Sequence, residues 1–243
     1  MIKHPLPVFV GVFLCLSLVI GVRGNTDEIV AKPGSTPTIN GSIGATEWED
    51  ADYVSFNETT VYVQQDGENL YIGFNISDAT LDPMFVDLAS VFIDVNDDGN
   101  ATLQPDDIGI TVFRDETLSE ANVTDGTWNF MNVSVSGWTA KVHDAGNVWQ
   151  VEISISYSKI GVTAGVPKTI GAAFAAWNAD VGGNPSTWPP TLVETNPATW
   201  GDITSNEYNW VPEFSSLLFL PLLIAVASFA ALYATFVNKR RLK

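Results

Sequence analysis

Cysteine is nearly missing from this chain, and histidine almost so: one and two residues, respectively, in 243. The single Cys15 falls in an apolar run near the N-terminus, and everything after it is free of thiol. Disulfides, thiol nucleophiles and cysteine-based zinc sites are thereby excluded from the body of the protein. Its stability must come from a packed core, for which the chain is long enough. Beyond His4 the sole imidazole is His143, which reads as a strand-end surface residue, so no Ser-His-Asp or Cys-His relay is available. Basic side chains are scarce too. Between 25 and 210 only Lys32, Arg114, Lys141, Lys159 and Lys168 occur, in a chain with 28 Asp and Glu and a formal net charge of −17. Phosphate binding needs clustered cations, which excludes nucleic acid as a partner. So acidic a surface favours solubility, cation binding or a saline habitat, or is merely well solvated. There is no phosphate-cradling glycine loop, no internal repeat and no sustained helical stripe. Paired carboxylates for glycoside hydrolysis have no distinguished pair among so many acids, so the chain is read as a non-enzyme.

What is present begins with two long uncharged runs. Leu6 to Val22 follows Lys3 and leads into Arg23-Gly24, the layout of a secretory signal peptide over residues 1–24, with an uncleaved N-terminal anchor as the alternative. Val12-Phe13-Leu14 lacks the small residues of a lipoprotein signal, so Cys15 is filler. Leu217 to Val237 is long enough to cross the ~30 Å hydrocarbon layer as one transmembrane helix. The basic tail at 238–243 holds the C-terminus in the cytoplasm and places the rest at the cell surface. Residues 204–216 form a tether, with Trp210 expected at the membrane interface. Asn40, Asn57, Asn75, Asn100, Asn122 and Asn132 satisfy the glycosylation sequon, consistent with an extracellular position.

The exterior has the periodicity of strands. Residues 60–64 and 70–76 flank Asp66-Gly67-Glu68-Asn69 as a hairpin, and further strands are predicted at 90–95, 108–113, 127–133, 138–143, 148–156 and 169–177. Only Tyr157–Ile160 looks like a helical turn. In 151–156 the alternation puts Val151, Ile153 and Ile155 on one side and Glu152, Ser154 and Ser156 on the other. Many short strands with turn signals between them predict an all-β, two-sheet antiparallel β-sandwich, jelly-roll-like, as one domain over 35–203.

The order of these segments resembles the family 9 carbohydrate-binding modules and the wider DOMON-like sandwiches. The pieces that carry the likeness are Ile39–Ile43 with Glu47–Ala51, the 66–74 hairpin, Val91–Gly99, Trp149–Ile155, Ile170–Phe174 and Thr199–Ile203. At the other end, Pro212-Glu213-Phe214 before an apolar span and a basic cluster resembles the PEF-CTERM sorting signals of archaeal surface proteins. That resemblance implies an archaeosortase-type processing enzyme as a partner; the alternative is a permanent anchor.

Two constellations are candidates for function. Asp94, Asn96 and Asp98 match the first oxygens of a calcium loop, with Asp106 or Asp107 closing the shell, although no Glu stands at the twelfth position. The family resemblance makes a structural Ca²⁺ an expectation; an acidic, solvated turn is the other account. The eight tryptophans are the second theme, because indole faces stack on the C–H faces of sugars. Trp48, Trp149 and Trp200 are expected in the core. Trp128, Trp138, Trp177 and Trp188 are left as platforms, with Trp177 and Trp188 clamping a sugar beside Asn178 and Asp180. The function expected is a surface-anchored module that binds glycan or polysaccharide. A structural or adhesion component is one alternative. A haem-binding DOMON-type electron-transfer domain, with His143 and Met84 or Met131 as ligands, is another.

Overall fold

The computed structural model describes residues 27–78, 87–131, 136–178, 185–205 and 210. The expected signal peptide, apolar span and basic tail lie outside the described residues, as do Met84, Asn132 and Asp180. Among the described residues no helix is long and apolar enough to cross a membrane.

Thirteen strands are described: β1 (Glu28–Pro33), β2 (Asp52–Phe56), β3 (Thr59–Gln65), β4 (Asn69–Ser77), β5 (Leu88–Asp94), β6 (Asp107–Phe113), β7 (Leu118–Thr124), β8 (Thr127–Met131), β9 (Trp138–Asp144), β10 (Val148–Ser156), β11 (Ile170–Trp177), β12 (Ser186–Trp188) and β13 (Gly201–Ser205). They follow the order β8-β7-β6-β5-β11-β13-β1-β3-β4-β10-β9, with β12 on β11 and β2 on β3. The path is one ladder folded into two layers, and β1 is its corner. Glu28 to Ala31 pair with β13, whereas Lys32 and Pro33 pair with β3. We call the β8-to-β13 layer sheet A and the β3-to-β9 layer sheet B. Both pairings of β1 are parallel, so the expectation of a wholly antiparallel sandwich is corrected at this corner.

Alternation explains the layering. In β4, Leu70, Ile72, Phe74 and Ile76 point inward. They meet Val91 and Ile93 of β5, Ile110 and Val112 of β6, and Phe174 of β11 in the same core. Phe74 meets Phe174 edge to face across the layers at 6.0 Å. Each fully buried ring or branched side chain of this kind is worth about 1.5–3 kcal/mol over exposure. The hairpin turn forms because Gly67 takes φ 91° and Asp66 Oδ1 accepts the N–H groups of Glu68 and Asn69.

Several expectations are corrected here. Glu152, expected on the wet face of β10, is fully buried, because the 34–51 segment lies over the outer face of sheet B. Its carboxylate accepts the N–H groups of Asn40 and Gly41, both at 2.8 Å, and Trp48 Nε1 at 2.9 Å. Trp210 does not stand at a membrane interface. It is fully buried, edge to face with Tyr157, and its Nε1 donates to the Lys168 carbonyl at 2.7 Å. Trp188, expected in a loop, ends strand β12 and stacks on Phe174 at 5.2 Å. Trp48, Trp149 and Trp200 are buried as expected.

Candidate functional site

The outer face of sheet A is unusual in being apolar on the side away from the core. Period-2 alternation in β5, β6 and β11 puts Phe92, Phe113, Ala173, Ala175 and Trp177 there. Gly109 and Ala121 leave room above them: a Cβ on Gly109 would meet that of Ala121 at 3.2 Å. Phe92, Trp128 and Trp200 fill part of this room, with Trp128 parallel to Trp200 at 6.4 Å and Phe92 5.8 Å from each.

Beside this aromatic cluster a groove of about 200 Å³ crosses the face. Strand β5 supplies Leu88, Ser90 and Phe92 to its walls, β6 supplies Thr111 and Phe113, and β11 supplies Ala175 and Trp177. Ser119, Phe130, Pro185 and Glu194 complete it. Phe130 is 58% exposed, a large apolar surface that nothing among the described residues covers. The polar groups are hydroxyls, Ser90 and Thr111 lying 2.9 Å apart, and one carboxylate, Glu194. Crowding of that carboxyl by its neighbours raises its pKa above the ordinary carboxylate value.

The predicted platforms divide between the two faces. Trp177 lines the groove and Trp128 belongs to the cluster beside it. Trp138 faces the core, 3% exposed, with its Nε1 donating to Glu120 at 2.7 Å. Trp188 stacks on the inward-facing Phe174, whereas Trp177, three residues along, faces outward, so the two cannot clamp one ring. Asn178 lines a separate cavity of about 430 Å³ with Asn57, Thr59 and Ser186, at the other side of the strand end. Phe113, Phe130 and Glu194 were not signalled by any motif. They come together only because seven segments converge.

At the opposite end of the same face, Asp94, Asp106 and Asp107 bring carboxylate oxygens within 4.8 Å of one another. Burial first, then the charges of Asp94, Asp106 and Asp98, push Asp107 up to about 7, against the pull of the Gln104 N–H. Three crowded carboxylates are a hard-oxygen donor set that fits a cation such as Ca²⁺. The other two predicted ligands are turned to their own loop. Asp98 accepts Asn96 Nδ2 at 3.1 Å and Asn100 Nδ2 at 2.8 Å. Lys168 stands near the trio, its ammonium donating to the carbonyls of Ile160 and Gly161. Burial lowers its pKa while Asp106 and Asp94 oppose that shift.

Of the sequons, Asn40, Asn57 and Asn100 are exposed, while Asn75 and Asn122 are half-buried within strands. Asn57 Nδ2 is engaged with Ser186 Oγ at 2.8 Å. His143 is exposed near the end of edge strand β9.

Neither the family models nor the curated protein sequences give a match to this chain. Solved structures do. A carbohydrate binding module family 9 from Caldicellulosiruptor kristjanssonii, in complex with cellotriose, superposes with a TM-score of 0.57. The identity is 16%, over 77% of this chain and 95% of that one. The family 9 module from the same organism in complex with glucose gives 0.56 at 17% identity, over 78% and 98%. The fold is therefore that of these modules.

Proposed function

We propose that this protein is an extracellular carbohydrate-binding module without catalysis of its own, and that the groove on the outer face of sheet A is where glycan binds. The observation that carries this is the groove's make-up. Exposed aromatic surface from Trp177, Phe113 and Phe130 lies beside hydroxyls and a single carboxylate, which matches a sugar's two surfaces, apolar C–H faces and a hydroxyl rim. The likeness in fold to modules bound to cellotriose and glucose supports the same reading. Trp177 is the stacking platform, with Trp128 and Trp200 packed beside the groove on the same face. Truncating Trp177 removes stacking worth about 0.5–1.5 kcal/mol beyond its buried area. Trp177→Ala is expected to weaken glucan binding at least tenfold in a glycan array and in calorimetry, with the melting temperature little changed; wild-type protein that binds no glycan on the array overturns the reading.

The surface setting belongs to the same proposal. A signal peptide exports the chain, the 217–237 span anchors it, and PEF-type processing by an archaeosortase-like enzyme transfers it to another anchor. Ca²⁺ held by Asp94, Asp106 and Asp107 is proposed as a structural ion. Protease added to intact cells would digest the domain if this placement is right and spare it if the domain is cytosolic.

A further inference from the structure

We infer that Glu194 is the selecting group of the groove: its carboxylate accepts hydroxyl hydrogens from neutral sugars and turns away anionic ones. The inference rests on the carbohydrate-binding reading and deepens it.

Glu194 is held in place by its backbone. Val193 N donates to Thr199 Oγ1 at 2.9 Å, and the Val193 carbonyl accepts Asn196 N at 2.9 Å and Trp200 Nε1 at 3.2 Å. Trp200 is itself fully buried, so the residue before Glu194 is pinned to a rigid ring. These bonds fix the loop backbone beside the groove, and the Glu194 side chain projects from it exposed to solvent. It lines the groove with Trp177, Phe130 and Pro185, and among the described residues it is the only titratable side chain in that lining. The facing polar groups from β5, β6 and β7 are the uncharged Ser90, Thr111 and Ser119; the acidic trio of Asp94, Asp106 and Asp107 sits at the far end of the face.

Among the described residues, no hydrogen bond or ion pair engages the Glu194 side chain, and desolvation alone raises its pKa. Glu194 is exposed, so water serves its carboxylate until a ligand displaces it. Structural carboxylates elsewhere in this chain, Glu152 and Glu120, are fully furnished with donors. A perturbed, unfurnished acid in a cleft is the pattern of a functional group. Sugar hydroxyls supply the missing donors. A uronate carboxylate brings a second negative charge beside Glu194, where the described lining holds no cation to offset it.

The test uses the full chain with cellotriose and trigalacturonate as probes, each titrated by calorimetry against wild type, Glu194→Gln and Trp177→Ala. Wild type is expected to bind cellotriose and discriminate against trigalacturonate. Glu194→Gln is expected to lose roughly tenfold in cellotriose affinity, the scale of a hydrogen bond to a charged acceptor, and to narrow the discrimination. Wild-type affinity for cellotriose should fall as pH is lowered through the raised Glu194 pKa, and the Gln variant should show a flat profile. Loss of binding in Trp177→Ala with unchanged affinity, selectivity and pH profile in Glu194→Gln overturns this inference alone. Binding of neither probe by wild type overturns the carbohydrate reading and this inference with it.

Discussion

At the scale of single residues, the acids of this chain do unlike work, and composition does not separate them. Glu152, Glu120 and Glu194 are the same side chain in three settings: buried and triply donated to, buried beneath an indole and an ammonium, and unfurnished at a groove rim. The alternation in 151–156 gave Glu152's direction correctly, away from the core. It did not reveal the 34–51 segment that covers it, because two of the three donors that segment gives Glu152 are backbone N–H groups, which leave no trace in side-chain pattern. Glu152→Gln exchanges one acceptor oxygen for an N–H₂ facing other donors. The expected cost is about 2–4 kcal/mol in urea unfolding, from charged hydrogen bonds lost and donors left unpaired. Glucan affinity should be unchanged, since the groove lies on the other sheet. A near-neutral variant would mean that water substitutes for the carboxylate.

At the scale of elements, the strands that were legible are those with branched or aromatic residues at alternate positions, such as β4, β10 and β11. Strands β1, β2, β7, β12 and β13 were not predicted. In β7 the inward residue Glu120 is polar, paired with Trp138 and Lys159, so the hydrophobic alternation fails where a buried salt bridge replaces an aliphatic contact. A second charged knot ties element ends together. Arg114, just past β6, reaches Asp78 after β4 at 3.2 Å, Asp87 before β5 at 3.1 Å and Asp144 at the end of β9 at 2.9 Å, with its guanidinium over Trp149. It thereby fastens both sheets at one end. The Arg114 hydrogen bond holds the Asp144 pKa below the ordinary carboxylate value. A folded pKa below the unfolded one adds stability that is complete above the unfolded pKa near 3.8 and disappears as pH falls through the folded one. Urea midpoints measured from pH 5 down to 2.5 should drop. Arg114→Met should lower the unfolding free energy at pH 5 by several kcal/mol, because it removes the cation facing buried carboxylates, and should flatten part of the acid dependence. The loop after β5 carries its own prediction. If Asp94, Asp106 and Asp107 hold Ca²⁺, millimolar Ca²⁺ should raise the melting temperature by mass action, about 2.7 kcal/mol at a hundred times the dissociation constant, and Asp106→Asn should abolish the rise. An unmoved melting temperature would mean that the trio does not hold Ca²⁺ at millimolar concentration.

At the scale of the molecule, the sandwich architecture was legible because it follows from period and turn spacing, whereas the groove was not, because it is assembled from distant strands whose residues signal nothing singly. Trp177 was picked out for its chemistry; its partners needed the register. Charge, by contrast, is a whole-molecule property that the sequence states outright. Few cations offset 28 acids, and one of them, Arg114, serves three carboxylates by itself. The remaining acids repel one another across a surface where the Debye length is about 8 Å at physiological salt and about 3 Å at 1 M. Mutual repulsion of this kind penalises the compact state. Raising the salt from 0.15 M to 1 M NaCl at pH 7 should therefore raise the melting temperature. The half-exposed pair Lys32–Asp52 and the exposed pair Lys141–Glu116 should lose little in exchange, because such solvent-accessible pairs contribute at most about 1 kcal/mol. The same increment should appear in Asp106→Asn, which separates general screening from occupancy of the trio. A melting temperature that falls with salt would mean that the few buried bridges, rather than the acidic surface, dominate the electrostatics of the folded state.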